Sequence, residues 1–193
     1  MYSFKNDYSE GAHPKILNAL VKSNMNQEEG YGNDIHTQNA ISKMKELIGN
    51  ENIDIHLISG GTQTNLIGIG AFLRPHEACI SAETGHIAVH ETGAIEYTGH
   101  KVITVKSNDG KITIERIQNV LDVHVNEHLV KPRLVYISNP TELGTVYTKD
   151  EIKALNKFCK SNGLILYGDG ARLGSALCVK EADLSLADMC NFT

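Results

Sequence analysis

The sequence predicts an α/β protein with a mostly parallel sheet sandwiched by helices. Three observations predict it. From about residue 55 onward, short strand-like runs alternate with longer segments of helical periodicity. The runs Leu134–Ser138 and Leu164–Tyr167 are apolar, as buried strands are. The 17 glycines lie mostly where one kind of segment gives way to the next. At 193 residues the chain suits one good-sized domain with a continuous core.

The elements follow in order. His13–Asn24 reads as a helix, with Pro14 in its first turn and Ile16, Leu17, Leu20 and Val21 on one face. Glu28–Asp34 is a polar loop around Gly30-Tyr31-Gly32. Thr37–Ile48 is a second helix that stops at Gly49. Ile55–Ser59 reads as a strand, followed by a glycine turn and a helix over Gln63–Leu73. Ala78–Ser81 is a strand, with a helix from about Ile87. Lys101–Val105 is a strand, and Thr113 caps a helix over Ile114–Val125. Thr148-Lys149-Asp150-Glu151 is a capping box for a helix that runs to Asn162 and ends at Gly163. The last residues, Cys190–Thr193, read as strand-like.

Composition narrows the class. Net charge is −5 and no basic block stands out, which argues against nucleic acid as the main partner. The longest apolar runs are far too short to span a bilayer, and the first residues lack the apolar core of a signal peptide. Cys79, Cys159, Cys178 and Cys190 form no CxxC pair, so reduced, partly buried thiols are expected. The expectation is a cytoplasmic protein.

In a parallel sheet, ligands bind beyond the C-terminal ends of the strands, and four such places carry unusual residues. Ser59-Gly60-Gly61-Thr62-Gln63 precedes a helix. It reads either as a phosphate cradle or as a plain turn, and it matches neither a Walker loop nor GxGxxG. His86 and His90 stand at i, i+4, a metal-compatible spacing. No third ligand is evident and HExxH is absent, so no metal is expected, and a flat contact with an aromatic ligand suits His86 better. Asn139 follows a strand in the rigid turn Asn139-Pro140-Thr141. Asp169, between glycines at a strand end, needs a cationic partner or several donors. Arg172 and a protonated ring nitrogen are both candidates. Together, an anion cradle, a stacking histidine, a strand-end amide and a strand-end carboxylate are what pyridoxal phosphate requires.

The order Gly61-Thr62-Gln63, His86, then Asp169-Gly170-Ala171-Arg172-Leu173 resembles the β-eliminating lyase and threonine aldolase family, fold type I of the pyridoxal phosphate enzymes. Asn6-Asp7-Tyr8-Ser9, Tyr31-Gly32-Asn33-Asp34, His90–Glu96 and Pro140–Tyr147 are similar to further family segments. The resemblance implies an aspartate-aminotransferase-like large domain, truncated here. Residues 1–35 would form an N-terminal arm and helix, and residues 36–193 an incomplete cofactor-binding domain. It implies that Gly61, Thr62 and Gln63 hold the phosphate, that His86 stacks on the ring and assists proton transfer, and that Asp169 pairs with the pyridine nitrogen. Asn139 answers the ring hydroxyl, and Arg172 takes the substrate carboxylate. Asn6 stands where the family commonly has Ser, Tyr31 lines the site, and His128 matches a second family histidine. The implied reaction is retro-aldol cleavage of threonine or allo-threonine to glycine and acetaldehyde, with His86, His128 or a water as base. A homodimer or homotetramer is also implied.

The family holds its cofactor covalently through a lysine in a Gly-Gly-Thr-Lys-like motif beyond Asp-Gly-Ala-Arg, and this sequence has no such motif. The family's small domain is also absent. Two readings follow: the N-terminal part of an aldolase, inactive alone, or a stand-alone non-catalytic binding domain. A third keeps the fold and changes the reaction to β-elimination on another amino acid.

Overall fold

The structure is a computed structural model that describes residue 3 and residues 5–192. The chain divides into two compact units, Met1–Lys43 and Met44–Thr193. In the first, α1 (Pro14–Ser23) starts where the sequence predicts. Pro14 occupies the first turn and His13 Nδ1 accepts the Lys15 N–H. None of its residues is buried within the chain; Leu20 and Val21 are exposed. Asp34 precedes α2 (Ile35–Ile48) and accepts from both the main-chain N–H and the hydroxyl of Thr37, at 2.8 and 2.7 Å. Those bonds lower the Asp34 pKa.

The second unit holds the sheet. Its strands are β1 (Glu77–Ala82), β2 (Lys101–Val105), β3 (Lys131–Ser138) and β4 (Ile165–Asp169). All are parallel, in the order β2-β1-β3-β4. Parallel neighbours need crossovers. These are supplied by α4 (His86–Val89) and α5 (Ala94–Tyr97) after β1, by α6 (Ile114–Val123) after β2 and by α7 (Lys149–Ser161) after β3. Helix α3 (Gly61–Phe72) precedes β1, and α8 (Leu173–Ala176) follows β4.

Side chains alternate across a strand, and here both sets are buried. Ile80, Val135, Ile137 and Leu166 face one core with Ile117 of α6 and Ile152, Leu155 and Cys159 of α7. Cys79, Leu134 and Tyr136 face the other with Ile69 of α3, Ile87 of α4 and Ile95 of α5. Burial on both faces explains why these strands read as unbroken apolar runs rather than alternating ones. The ladder of β3 and β4 sets Ser138 against Asp169 at their C-terminal ends, so chemistry-bearing residues emerge side by side. Among the described residues, no helix is long and apolar enough to cross a membrane.

Three expectations need correction. Residues 55–59 form no strand: among the described residues nothing pairs with them, and Leu57 is 58% exposed. Without a ladder partner, β-branched residues do not make a strand. The helix from about Ile87 is two short ones, broken where Thr92 (φ 52°) and Gly93 (φ 78°) enter the left-handed region. Leu186–Asn191 is a 3₁₀ helix closed by a Ser185–Asp188 capping box, not a strand lead-in, and Thr193 lies outside the described residues.

Leu166 is fully buried in the middle of β4. Leu166→Ala is expected to cost about 2–5 kcal/mol in urea unfolding, through lost transfer energy and the cavity left behind. Leu143→Ala, at a half-exposed loop position, is expected to change stability by less than about 0.5 kcal/mol.

Candidate active site

At the C-terminal ends of the strands, a set of hydrogen bonds ties β3 and β4 to α3, to the α4–α5 segment and to the loop after β3. Asp169 ends β4. Its Oδ2 accepts from Tyr136 Oη at 2.6 Å and from Asn65 Nδ2 at 3.1 Å, and its Oδ1 accepts from the Ala171 N–H at 3.0 Å. Three donors meet the demand of a partly buried carboxylate. Burial pushes the Tyr136 phenol far up, and the Asp169 charge adds to it, so Tyr136 stays a donor. Tyr167 stacks on Tyr136 at 5.8 Å between ring centroids. Burial, with the Asp169 charge second, pushes Tyr167 up to about 12.

Asn65 lies one turn inside α3 and is 3% exposed. Its Nδ2 also donates to Glu91 Oε1 at 2.7 Å, while its Oδ1 accepts the Tyr167 hydroxyl at 3.0 Å. Two carboxylates facing Nδ2 fix which end of the amide is nitrogen. Gly68, one turn along α3, makes room for Tyr167: a Cβ there would sit 3.2 Å from the ring. Glu91 in turn takes His86 Nδ1 at 2.7 Å. The His86 main-chain N–H donates to Glu142 Oε1 at 2.8 Å, and Ser138 Oγ donates to the same oxygen at 2.6 Å. Ser138 Oγ lies 3.3 Å from Tyr136 Oη, but the single proton of each hydroxyl is already given, to Glu142 and to Asp169. Gly85 lets His86 start α4 against the end of β1, since a Cβ there would collide with Ser81.

The predicted residues lie in several places. His86, Asp169 and Arg172 emerge with the strand ends; Arg172 is the N-cap of α8 and is exposed. Gly61, Thr62 and Gln63 are the first turn of α3. Gly60 caps it at φ 87° with no side-chain cap bond, and the first intrahelical bond runs from the Thr64 N–H to the Gly60 carbonyl. The N–H groups of residues 61–63 therefore lie ahead of the intrahelical ladder. Nothing lies within 4 Å of a Cβ built at Gly61, and Gln63 Oε1 accepts from Ser59 Oγ. Asn139 is buried beside Asp169, its Oδ1 accepting the Tyr147 N–H at 3.0 Å. Its Nδ2 has no partner among the described residues.

Asn6 and Tyr31 belong to the first unit. Asn6 Oδ1 accepts from the Tyr8 N–H and the Ser9 hydroxyl, and Tyr31 stands fully exposed at φ 62°. His128 lies apart from the others within this chain. It sits on the exposed loop that leads into β3, at the N-terminal ends of the strands and the far end of the sheet from Asp169. The chain's own fold does not bring it to the site.

Asn65, Tyr136 and Glu142 went unassigned in the sequence, and Glu91 was noticed only as part of a motif. Signals exist for two of them. Asn65 is the last of the polar residues Thr62-Gln63-Thr64-Asn65, at the point where the helix turns apolar, and Tyr136 shares a face of β3 with Ser138 by the two-residue period.

The chain is similar to several known proteins. The chain is 34% identical over 175 residues to a low specificity L-threonine aldolase of a Pseudomonas species (strain NCIMB 10558), covering 90% of this chain and 50% of that protein. It is 32% identical to its Pseudomonas aeruginosa counterpart over the same shares. The chain thus spans about half the length of the curated relatives it matches. The solved threonine aldolase of Leishmania major superposes with a TM-score of 0.98 at 52% identity, over 100% of this chain and 56% of that one. A putative L-allo-threonine aldolase of Listeria monocytogenes, at 19% identity and a TM-score of 0.71, shares the fold. Residues 6–193 match the family model of beta-eliminating lyases, and the chain belongs to that family.

Proposed function

We propose that this chain is the cofactor-binding part of a pyridoxal phosphate-dependent aldolase that cleaves threonine or allo-threonine to glycine and acetaldehyde. The observation that carries the reading is Asp169, an acceptor-only group held by three donors at the end of β4. The other residues fit the group as well. The first turn of α3 offers N–H groups to a phosphate. Asn139 Nδ2 is a buried donor with no partner among the described residues, suited to a ring oxygen. His86 presents a 42% exposed ring. When bound, pyridoxal phosphate supplies an electron sink for the bond cleaved at the substrate α-carbon.

The chain's own residues supply binding and proton handling. Gly61, Thr62 and Gln63 fix the phosphate through main-chain donors and the Thr62 hydroxyl. Asp169 would hold the ring nitrogen through its carboxylate and favour its protonated form. Arg172 would grip the substrate carboxylate with a planar fork and so orient the substrate. His86 takes the β-hydroxyl proton as Cα–Cβ breaks, and acetaldehyde leaves. Proton return to the α-carbon completes glycine. Asn6 and Tyr31 are assigned to the substrate side of the site.

The reading extends to a cytoplasmic homo-oligomer. Four unpaired cysteines suit a reducing compartment. The apolar stripe of α1, with Ile16, Leu17, Leu20 and Val21 at 49–76% exposure, suits contact between copies.

Two outcomes test the proposal. In calorimetric titration, the chain is expected to bind pyridoxine 5′-phosphate, which carries no aldehyde. Asp169→Asn should weaken that binding about 10–100-fold, the usual cost of a lost charged hydrogen bond. Equal binding by both would remove Asp169 from the site. In the full-length protein, threonine should yield acetaldehyde and glycine in equal amounts without ammonia, and Arg172→Lys should raise KM about tenfold or more through loss of the bidentate fork. Ammonia release instead would point to β-elimination.

A further inference from the structure

The function proposed above gives His86 a proton to handle without saying which ring nitrogen handles it. Free imidazole carries one proton on either nitrogen, and the partner of one nitrogen decides the role of the other. The chain settles that choice through groups the proposal does not otherwise use.

His86 Nδ1 lies 2.7 Å from Glu91 Oε1. The Glu91 side chain is fully buried, between α4 and α5. The same Oε1 accepts from Asn65 Nδ2, and Asn65 is itself committed by Asp169 Oδ2 and the Tyr167 hydroxyl. Glu91 Oε2 is buried with no partner among the described residues. Oε1 is therefore an acceptor with one donor already in place. Imidazole is a stronger base than a carboxylate, so the proton between Oε1 and Nδ1 belongs to Nδ1. The remaining groups near His86 do not compete for it. Glu142 is taken by the His86 main-chain N–H and Ser138 Oγ, and the His90 ring lies 5.5 Å away.

We propose that Glu91, steadied by Asn65, is a positioning residue that holds His86 as the Nδ1–H tautomer, so that Nε2 is the atom that accepts the substrate proton. The inference rests on the aldolase reading for its chemical use, while the tautomer itself is a property of the chain alone. Asn65 links the two halves of the site: the carboxylate that orients the histidine and the carboxylate assigned to the ring nitrogen hang from one amide. Both bonds at Glu91 fall on Oε1, so Gln at this position keeps them and removes only the charge.

The test is a long-range proton–nitrogen correlation spectrum of the ¹⁵N-histidine-labelled chain, without cofactor, at a pH where imidazoles are neutral. The protein carries its own references. His124 Nδ1 faces the Val130 carbonyl at 2.8 Å and must donate, whereas His13 Nδ1 accepts the Lys15 N–H. His86 is expected to show the His124 pattern, to keep it in Glu91→Gln and to move to the Nε2–H pattern in Glu91→Leu. A His13-like pattern in the unaltered chain overturns the proposal, and so does an unmoved His86 in Glu91→Leu. Should Glu91→Leu fail to fold, His124 loses its pattern too, and the comparison of His86 with His124 and His13 in the unaltered chain decides. Failure to bind pyridoxine 5′-phosphate would defeat the functional reading and leave the tautomer result standing.

Discussion

Two carboxylates share one amide nitrogen at the centre of this molecule. Asp169 ends β4, Glu91 sits between α4 and α5, and Asn65 Nδ2 donates to both. Neither acid could be packed here without a donor, because an unpaired buried carboxylate costs several kcal/mol. Asn65 has two amide hydrogens and spends one on each. Its carbonyl oxygen is occupied by Tyr167, so the amide has no second orientation. The fork therefore sets the spacing of the two acids, and through them the places of His86 and of the residues after β4. Replacing it with an apolar side chain would take one donor from each acid and leave the Tyr167 hydroxyl without its acceptor, at about 1–3 kcal/mol for the unsatisfied hydroxyl.

The sheet makes that junction possible. Parallel strands deliver all their C-termini to one edge, and burial on both faces leaves the strand ends as the place where polar groups converge. The pairing of Ser138 with Asp169 brings β3 and β4 to the same level. Glu142, from the loop after β3, reaches across to the first residue of α4. The crossover after β1 is thus pinned to the loop after β3 by a side chain. A site built in this way keeps rigid walls while its helix N-terminus and imidazole stay open to a ligand.

Much of this was legible in the chain. Helices α1, α6 and α7 declare themselves by His13-Pro14, Thr113 and the Thr148–Glu151 box, all local signals that the structure keeps. Strands β1 and β3, central in the sheet, show as apolar runs because both faces are covered. Asp169 and His86 stand out because strand ends are where acids and imidazoles have no packing reason to be. The errors have physical causes as well. Residues 55–59 look like a strand in composition, but a strand exists only with a partner, which composition does not report. The break at Thr92-Gly93 depends on left-handed backbone angles that helical periodicity hides. Asn65, Tyr136 and Glu142 were missed because their partners lie 104, 33 and 56 residues away. His128 rests on likeness of motif alone, and the direction of β3 places it at the N-terminal ends of the strands within this chain.

The central claim is that Asn65 is locked between two acids, and hydrogen exchange of its side-chain amide measures this directly. Both Asn65 amide protons should be resolved, shifted downfield and slowed about 100-fold or more relative to Asn108, which lies on an exposed turn. Exchange of the Asn65 amide at the Asn108 rate would mean that no fork exists, and that Asp169 and Glu91 are held apart by something else.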